Sequence, residues 1–283
     1  MELGRKTRIM GVVNVTPDSF SDGGKFFTPA AAVSQGKKLI DDGADIIDIG
    51  GESTRPFSEQ VPQTEELERV IPVIEELAGQ TSVPISIDTM KAEVARRAIK
   101  AGASMINDIS ALRHDPEMAS VAKEFEVPVV LMHMLGKPKT MQLSPSYDNL
   151  IGEISAFLRD AIKRAETQGI SKSKLIVDPG IGFGKTVSHN LLLIKHLRFF
   201  FSLQVPILVG PSRKAFIRKL LTDDHLNDIS PNLPVVETGT QAVVAAAVLS
   251  GAHIVRVHDV ASTVATIRIL DAIKNVQDHQ KLS

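Results

Sequence analysis

The sequence predicts a single (β/α)8 (TIM) barrel over residues 1–283, with the active site at the carboxyl-terminal ends of the strands. Eight short apolar runs rich in Val and Ile follow one another, and a helical pattern follows each run. Most runs do not alternate strictly between apolar and polar residues, as expected of strands buried on both faces. Because no linker or shift in composition divides the chain, we prefer this barrel to the alternative, an open doubly wound sheet.

The predicted strands are the eight apolar runs themselves. Gly-Ala pairs at 43–44, 102–103 and 251–252 resemble a weak internal repeat, in which the glycine ends one helix and the next strand begins at once. The runs are Ile9–Val13, Asp45–Ile49, Pro84–Ile87, Ser104–Ile106, Pro128–Met132, Leu175–Val177, Pro206–Val209 and Ile254–Val257.

Helical patterns fill the segments between the runs. An apolar stripe over residues 64–77 predicts a helix with Thr64 as N-cap candidate and two glutamates in its first turn. Residues 148–167 and 237–250 behave similarly. The polar stretch 219–233 is the best candidate for a mobile insertion.

The composition excludes several classes of protein. Hydrophobic residues make up 43% of the chain and charged residues 23%, as in ordinary globular proteins. A net charge of −1 implies no basic surface, so we expect no nucleic-acid partner. We also expect no membrane partner, because no apolar run is long enough to span a bilayer. The absence of cysteine excludes disulfides and thiolate metal sites and is compatible with the cytoplasm, where we expect the protein.

The segment from Leu175 to Thr186 joins a buried strand to a helix through a glycine-rich loop. Asp178 stands at the end of the strand, and Phe183 lies among three glycines at alternate positions. The glycine spacing matches neither a P-loop nor a dinucleotide fingerprint. A glycine-rich turn without further function is the plain alternative.

Polar or ionisable residues follow every predicted strand. Each one alone is explained as a helix cap or turn former, and that explanation suits Thr89, Ser110 and Asp259, where a helix follows. It is poor for all eight strands together, because helix caps need no lysine, arginine or histidine. These residues, which predict a site, are Asn14, Glu52, Asp88, Asn107, Asp108, His133, Asp178, Ser212, Arg213, Lys214, Arg256, His258 and Asp259.

The types of these residues indicate two kinds of ligand group. Asp88, Asn107 and Asp178 suit a flat, nitrogen-rich ring, because carboxylates accept amidine-like N–H groups and an amide both donates and accepts. A buried acid pair that holds loop backbone and a metal site are the alternatives. Lys214, Arg256 and His258 favour an anionic group, and proton transfer by His258 stays open.

Two further loops could close over such a site. Residues 14–24 and 50–56 are polar and rich in glycine, a composition that suits mobile lids as well as ordinary surface turns.

Eight motifs resemble those of the dihydropteroate synthase family, which makes a precursor of folate. They occur in family order and cover almost the whole chain. The motifs are MGVVNVTPDSFSDGG (10–24), DIGGESTRP (48–56), ISIDT (85–89), INDIS (106–110), MHM (132–134), DPGIGFGK (178–185), GPSRK (210–214) and RVHDV (256–260).

This resemblance implies a reaction and a set of site residues. 6-Hydroxymethyl-7,8-dihydropterin diphosphate would condense with 4-aminobenzoate to give 7,8-dihydropteroate and diphosphate, with Mg²⁺ as cofactor and through a dihydropterin cation. The implied catalytic residues are Asp88, Asp178, Lys214, Arg256 and His258. The implied binding residues are Asp88, Asn107, Met132, Asp178, Phe183, Gly210 and Lys214 for the pterin; Asn14, Arg256 and His258 for the diphosphate, with Asn14 also at Mg²⁺; and Phe20, Thr54, Arg55, Pro56, Phe183 and Ser212 for 4-aminobenzoate.

The resemblance also implies sulfonamide inhibitors and a homodimer. Because the amine of 4-aminobenzoate is itself nucleophilic, we expect a site without a Ser–His pair. Leu135, Lys137 and Ala215 depart from the usual residues and bear on affinity rather than on reaction class. A pterin-binding methyltransferase and a non-catalytic pterin-binding relative are the alternatives.

Overall fold

Eight parallel strands form one sheet in this protein. The computed structural model describes residues 6–16, 29–53, 58, 60–222 and 228–276. The strands are β1 (Arg8–Asn14), β2 (Ile46–Gly50), β3 (Ile85–Asp88), β4 (Met105–Asp108), β5 (Val129–Met132), β6 (Leu175–Asp178), β7 (Leu208–Val209) and β8 (Ile254–Val257).

The sheet curls into a barrel. Its strand order is β6-β5-β4-β3-β2-β1-β8-β7, and every neighbouring pair is parallel. The two ends meet where the Val177 N–H donates to the Pro206 carbonyl at 2.9 Å and Val177 forms a parallel bridge with Ile207. The predicted barrel is therefore confirmed, and the open-sheet alternative is wrong.

The strand bounds differ from the prediction at their ends. Several strands extend to the polar residues that were expected to follow them, so Asn14, Asp88 and Asp178 are the last residues of β1, β3 and β6. The seventh strand is shorter than predicted, because Pro206 has no N–H to donate and the chain joins the sheet fully only at Leu208.

Nine α-helices surround the barrel in the described residues. They are α1 (Pro29–Asp41), α2 (Gln63–Ala78), α3 (Ala92–Lys100), α4 (Met118–Phe125), α5 (Leu150–Thr167), α6 (Val187–Lys195), α7 (Ala215–Leu220), α8 (Pro234–Leu249) and α9 (Val260–Asn275). Short 3₁₀ helices occur at Lys172–Lys174 and Leu197–Leu203.

The helix ends test two expectations about caps and add a third cap. Thr64 is not the N-cap of α2, because that helix begins at Gln63 and the Pro62 carbonyl already accepts from the Glu66 N–H. Asp259 caps α9 as the plain explanation expected, accepting from the Ser262 N–H at 3.0 Å. Asn149 caps α5 through the Gly152 N–H at 3.1 Å.

The strands divide their side chains between two cores, because successive side chains point to opposite faces of a strand. One set packs outward against the helices, as Ile47 and Val177 do. The other set fills the barrel interior with Met10, Ile46, Met105, Val130, Ile176, Leu208 and Ile254. This interior layer closes the barrel below the site.

None of the described helices is long and apolar enough to cross a membrane. The prediction that one domain spans residues 1–283 stays a prediction, because both ends of the chain lie outside the described residues. So does the proposed mobile insertion at 219–233, of which residues 223–227 are not described.

Candidate active site

The predicted site residues share one face of the strands with the interior layer. Two positions after an interior apolar residue of the same strand lie three predicted residues, Asn107, Asp178 and Arg256, and one that was not predicted, Asp48. A step of two residues returns the side chain to the same face and moves it towards the carboxyl end. These residues therefore converge at one mouth of the barrel, where (β/α)8 enzymes carry their chemistry.

A buried polar network links four strands at this mouth. Arg256 of β8 donates from Nε to Asp48 Oδ2 at 2.6 Å and from Nη2 to Asp88 Oδ2 at 2.8 Å. Asn107 of β4 donates from Nδ2 to the same Asp48 oxygen at 3.0 Å. Two carboxylates therefore share one guanidinium. The ion pairs offset only part of the free-energy cost of removing these charged groups from water.

Burial changes the acidity of the two predicted pterin carboxyls. It raises the pKa of Asp88, against the opposing effect of the Arg256 cation, and the neighbouring Asp48 raises it further. It also raises the pKa of Asp178 to about 6, although the Gly180 N–H donates to Asp178 Oδ1 at 2.7 Å and Lys214 lies nearby. Perturbed carboxyls of this kind are typical of functional sites.

The glycine-rich loop after β6 is held by side chains of the loop between β5 and α5 and by its own lysine. Gln142 donates to the Gly182 carbonyl at 2.7 Å, Tyr147 to the Gly184 carbonyl at 2.8 Å, and Lys185 to the Phe183 carbonyl at 2.9 Å. The carbonyls on the far side of the turn are thus satisfied by the protein itself, as buried backbone groups require.

Two glycines of this loop are required by its shape. Gly180 has φ +71°, and a Cβ there would lie 1.8 Å from the His133 carbonyl oxygen. A Cβ at Gly182 would lie 2.9 Å from Cδ of Lys214, which crosses the loop at that point. Glycine therefore allows both the turn and the close approach of Lys214.

Lys185 and His133 form a buried pair beneath the loop. Lys185 Nζ lies 3.0 Å from His133 Nδ1. Burial lowers the pKa of Lys185 to about 7, against the nearby Asp178 carboxylate, and lowers the pKa of His133 to about 2. His133 is therefore neutral and supports the loop from beneath, rather than lining the mouth.

An apolar patch lies beside the carboxylates. It contains Met90, Ile109, Met132, Met134, Met141 and Phe183, and so includes two predicted pterin residues. The Lys214 ammonium lies 4.0 Å from the centroid of the Phe183 ring, a cation–π distance. A flat ligand could lie on this patch with its polar edge towards the acids. Gly210 follows β7 beside Arg256.

One expectation about the site is wrong. The structure contains a Ser–His pair. Ser212 Oγ lies 3.0 Å from the ring atom His258 Nδ1, and it accepts a hydrogen bond from the backbone N–H of His258 at 3.2 Å. Ser212 follows β7 and His258 follows β8, and neighbouring strands bring these two residues together. The pair links the residues assigned to 4-aminobenzoate with those assigned to the diphosphate.

The second predicted lid is described only at its base. Lys91 forms ion pairs with Glu52 and Glu66, and Arg69 donates to the Gly51 carbonyl at 2.7 Å. Glu52 is thus bound within the structure instead of lining the mouth. Phe20, Thr54, Arg55 and Pro56, assigned to 4-aminobenzoate by resemblance, lie outside the described residues.

Several strand-end residues have structural roles. Asp108 accepts from the Ser110 and Leu112 N–H groups at 2.8 and 2.7 Å, and it supports a turn in which Ala111 and Leu112 have positive φ. Thr89 accepts from the Lys91 N–H at 3.2 Å. Leu135, one of the departures, packs against Gly184. Of the neighbouring residues Asn107 and Asp108 at the end of β4, only Asn107 therefore belongs to the site.

The described residues contain no group of three or more His, Cys, Asp or Glu side chains that could hold a metal ion. Asn14, the last residue of β1, provides one amide oxygen near the mouth. Mg²⁺ commonly takes one or two protein ligands and completes its shell with substrate phosphates and water. The residues present fit an ion that arrives with a phosphorylated substrate.

Comparison with known proteins agrees with this geometry. The model of the pterin-binding enzyme family matches residues 10–258. Dihydropteroate synthase from Synechocystis sp. is 46% identical over 270 residues, which cover 95% of this chain and 91% of that protein.

Solved structures give the same result. Xanthomonas albilineans dihydropteroate synthase with 4-aminobenzoic acid is 47% identical, with a TM-score of 0.88 and coverage of 96% of this chain and 94% of that one. Yersinia pestis dihydropteroate synthase in a sulfonamide drug complex is 42% identical, with a TM-score of 0.89 and coverage of 98% and 97%.

The fold and the site thus define a (β/α)8-barrel enzyme whose mouth suits a flat, nitrogen-rich ligand. The chain belongs to the pterin-binding enzyme family, and within it to the dihydropteroate synthases, which are transferases of folate biosynthesis. The resemblance drawn from the sequence motifs is therefore confirmed, and the methyltransferase alternative is set aside.

Proposed function

We propose that this chain condenses 6-hydroxymethyl-7,8-dihydropterin diphosphate with 4-aminobenzoate, giving 7,8-dihydropteroate and diphosphate. The observation that supports this most directly is the meeting of Asp88, Asn107, Asp178 and Arg256 at one mouth of the barrel. A pterin presents amidine-like donors along one edge, and two carboxylates and an amide complement that edge.

In this proposal the pterin lies between the acids and the apolar patch. Asp88 and Asp178 accept from its ring N–H groups, and Asn107 donates and accepts. Lys214 adds a donor where it crosses Gly182, and Met132, Phe183 and Gly210 pack against the ring. The ring excludes water from the carboxylates, which strengthens these interactions.

The diphosphate lies at the cationic side of the mouth. Nε and Nη2 of Arg256 bond to carboxylates, so Nη1 is the group that it directs to an oxyanion. His258 and Asn14 flank the same region. Mg²⁺, when bound with the substrate, supplies charge neutralisation for the leaving group, and Asn14 would contribute one ligand to it.

The reaction breaks one bond and forms one. The bond between the exocyclic carbon and the diphosphate oxygen breaks, and its electron pair leaves with the diphosphate. Asp88 and Asp178 stabilise the resulting dihydropterin cation electrostatically. The amine nitrogen of 4-aminobenzoate then forms the C–N bond and loses one proton to solvent, so no protein nucleophile is required.

The aminobenzoate site combines Phe183 and Ser212 with Phe20, Thr54, Arg55 and Pro56. The Xanthomonas relative with 4-aminobenzoic acid and the Yersinia relative in a sulfonamide drug complex support both compounds as ligands of this chain. We further propose that the protein is a cytoplasmic homodimer; sedimentation of the purified chain tests the second part.

The test of this function is diphosphate release by the purified protein. Pterin diphosphate is supplied with and without 4-aminobenzoate and Mg²⁺. We expect Mg²⁺-dependent release, with dihydropteroate formed only when 4-aminobenzoate is present. Tight pterin binding without release under any condition would instead support the non-catalytic alternative.

A further inference from the structure

Asp48 is a buried carboxylate that the proposed mechanism does not use. It lies in the middle of β2 and is fully buried. Its Oδ2 accepts from Asn107 Nδ2 and from Arg256 Nε, whereas its Oδ1 has no hydrogen-bond partner among the described residues. One oxygen therefore receives both donors, and neither donor comes from its own strand.

The position of Asp48 lets it hold residues on both sides of the barrel. In the sheet order, β3 lies between β2 and β4, and β1 lies between β2 and β8. No backbone hydrogen bond joins β2 to β4 or to β8, so the ladder does not fix Asn107 against Arg256. An interior carboxylate on β2 reaches both, and it fixes an amide and a guanidinium to one point.

Stability alone is a poor explanation for this arrangement. Asp48 and Asp88 share the single guanidinium of Arg256, so two buried carboxyls depend on one cation for their ion pairs. Buried ion pairs are often no more stable than apolar residues of the same volume. A cluster that is costly to bury and located at the mouth is typical of a functional site.

We propose that Asp48 is a positioning residue for the pterin diphosphate. It acts through Asn107 and Arg256, setting the amide against the pterin edge and turning the guanidinium so that Nη1 faces the diphosphate. The inference rests on the proposed function for the identity of the ligand. It predicts that the loss of the Asp48 carboxylate weakens binding of the pterin substrate and leaves binding of 4-aminobenzoate unchanged.

The experiment compares Asp48→Asn with Asp45→Asn in the full-length protein. Asp45 precedes the same strand at the opposite end of the barrel, where it accepts from Arg8 Nη1 at 2.9 Å and from the Ile9 N–H at 3.0 Å. Both variants lose one carboxylate with long-range partners, and only one is at the mouth. Thermal unfolding shows that each variant is folded.

For Asp48→Asn we expect the KM for pterin diphosphate to rise about tenfold or more, with the KM for 4-aminobenzoate within about twofold of wild type. Asp45→Asn should leave both constants unchanged and lower stability only. An unchanged pterin KM in folded Asp48→Asn, or an equal rise in both constants, would overturn the proposal.

A double-mutant cycle with Arg256→Gln tests whether Asp48 acts through its partner. We expect the KM for pterin diphosphate in the double variant to be little higher than in Arg256→Gln alone, because the effects of substitutions at coupled residues are not additive. Effects that multiply independently would show that Asp48 does not act through Arg256. Calorimetric binding of the pterin substrate gives the same comparison without turnover, so a wild type that binds but does not react would refute the reaction and leave this inference testable.

Discussion

At the scale of single residues, Asp178 has the clearest predicted role. We expect Asp178→Asn to weaken pterin binding about tenfold or more, because hydrogen bonds to a charged acceptor are the strong ones and the amide replaces one acceptor by a donor. Calorimetric titration with the pterin substrate measures this. Asp160→Asn, an exposed carboxylate on α5, is the control. Equal affinities in the two variants would remove Asp178 from the pterin site.

The same carboxyl predicts a dependence on pH. Its pKa of about 6 means that the ionised form is lost on acidification through pH 6, so kcat/KM for the pterin substrate should fall there. The contribution of Asp178 to the free energy of unfolding changes with pH in the opposite direction. Between the unfolded pKa of 3.8 and about 6 the folded state binds the extra proton, so this contribution to stability falls as the pH rises.

Profiles of kcat/KM and of urea midpoints between pH 4 and 8 check both slopes, with Asp178→Asn as the reference for stability. A wild-type kcat/KM that stays constant from pH 5 to 7 would contradict the assignment.

Sequence reasoning found most of the site residues, which lie at or near strand ends, and missed Asp48 in the middle of β2. Asp88, Asn107 and Asp178 follow apolar runs and so were identified as site residues. Asp48 lies within an apolar run, and its partners are 59 and 208 residues away in the chain. No local pattern indicates such a contact. Glu52, His133 and Asp108 share the strand-end pattern but are bound elsewhere, which only side-chain geometry distinguishes.

At the scale of elements, the glycine-rich loop is the most constrained segment. Gly180→Ala should destabilise the protein by roughly 3 kcal/mol or more, because the added Cβ meets a backbone oxygen that cannot move and φ is positive. Gly79→Ala is the matched control, since Gly79 has φ −70° and its added Cβ would lie 3.6 Å from the nearest atom. Urea unfolding measures both, and similar midpoints would refute the rigid turn.

Beneath that loop, Lys185 predicts a rise of stability with pH. Its folded pKa of about 7 lies below the ordinary lysine value of 10.5, so between these values the unfolded state binds more protons. Wild-type stability should therefore gain from Lys185 as the pH rises from 7 to 10, whereas Lys185→Met should lack that gain. Urea midpoints at several pH values test this, and identical slopes in both proteins would contradict it.

At the scale of the whole molecule, the residues that stabilise the barrel interior and the residues of the site lie at different heights along the barrel. Met10→Ala removes a fully buried side chain from the interior layer and should cost ~2–5 kcal/mol of folding free energy. Both KM values should stay near wild type, because the layer lies below the site. Ile269→Ala on α9, at a side chain that is 66% exposed, should change stability by less than about 0.5 kcal/mol. A selective loss of pterin affinity in Met10→Ala would contradict this separation.

The barrel itself was predictable from the repeated order of apolar run and helix, since parallel strands buried on both faces leave that pattern. Two features were not. The seventh unit contains both α7 and α8, and the sheet closes through a strand of two residues. Both depend on how the final strands fit the remaining gap, a property of the assembled barrel and not of any one segment.

That closure has a consequence for the ligand. The seam between β6 and β7 has one bridge, and Asp178 and Lys214 stand at the ends of its two sides. A pterin that touches both residues acts as a staple across the weakest join of the barrel. Binding of the pterin would then oppose local opening of this seam. Substrate should therefore slow amide hydrogen exchange at Val177 and Leu208 more than at the β2–β3 join.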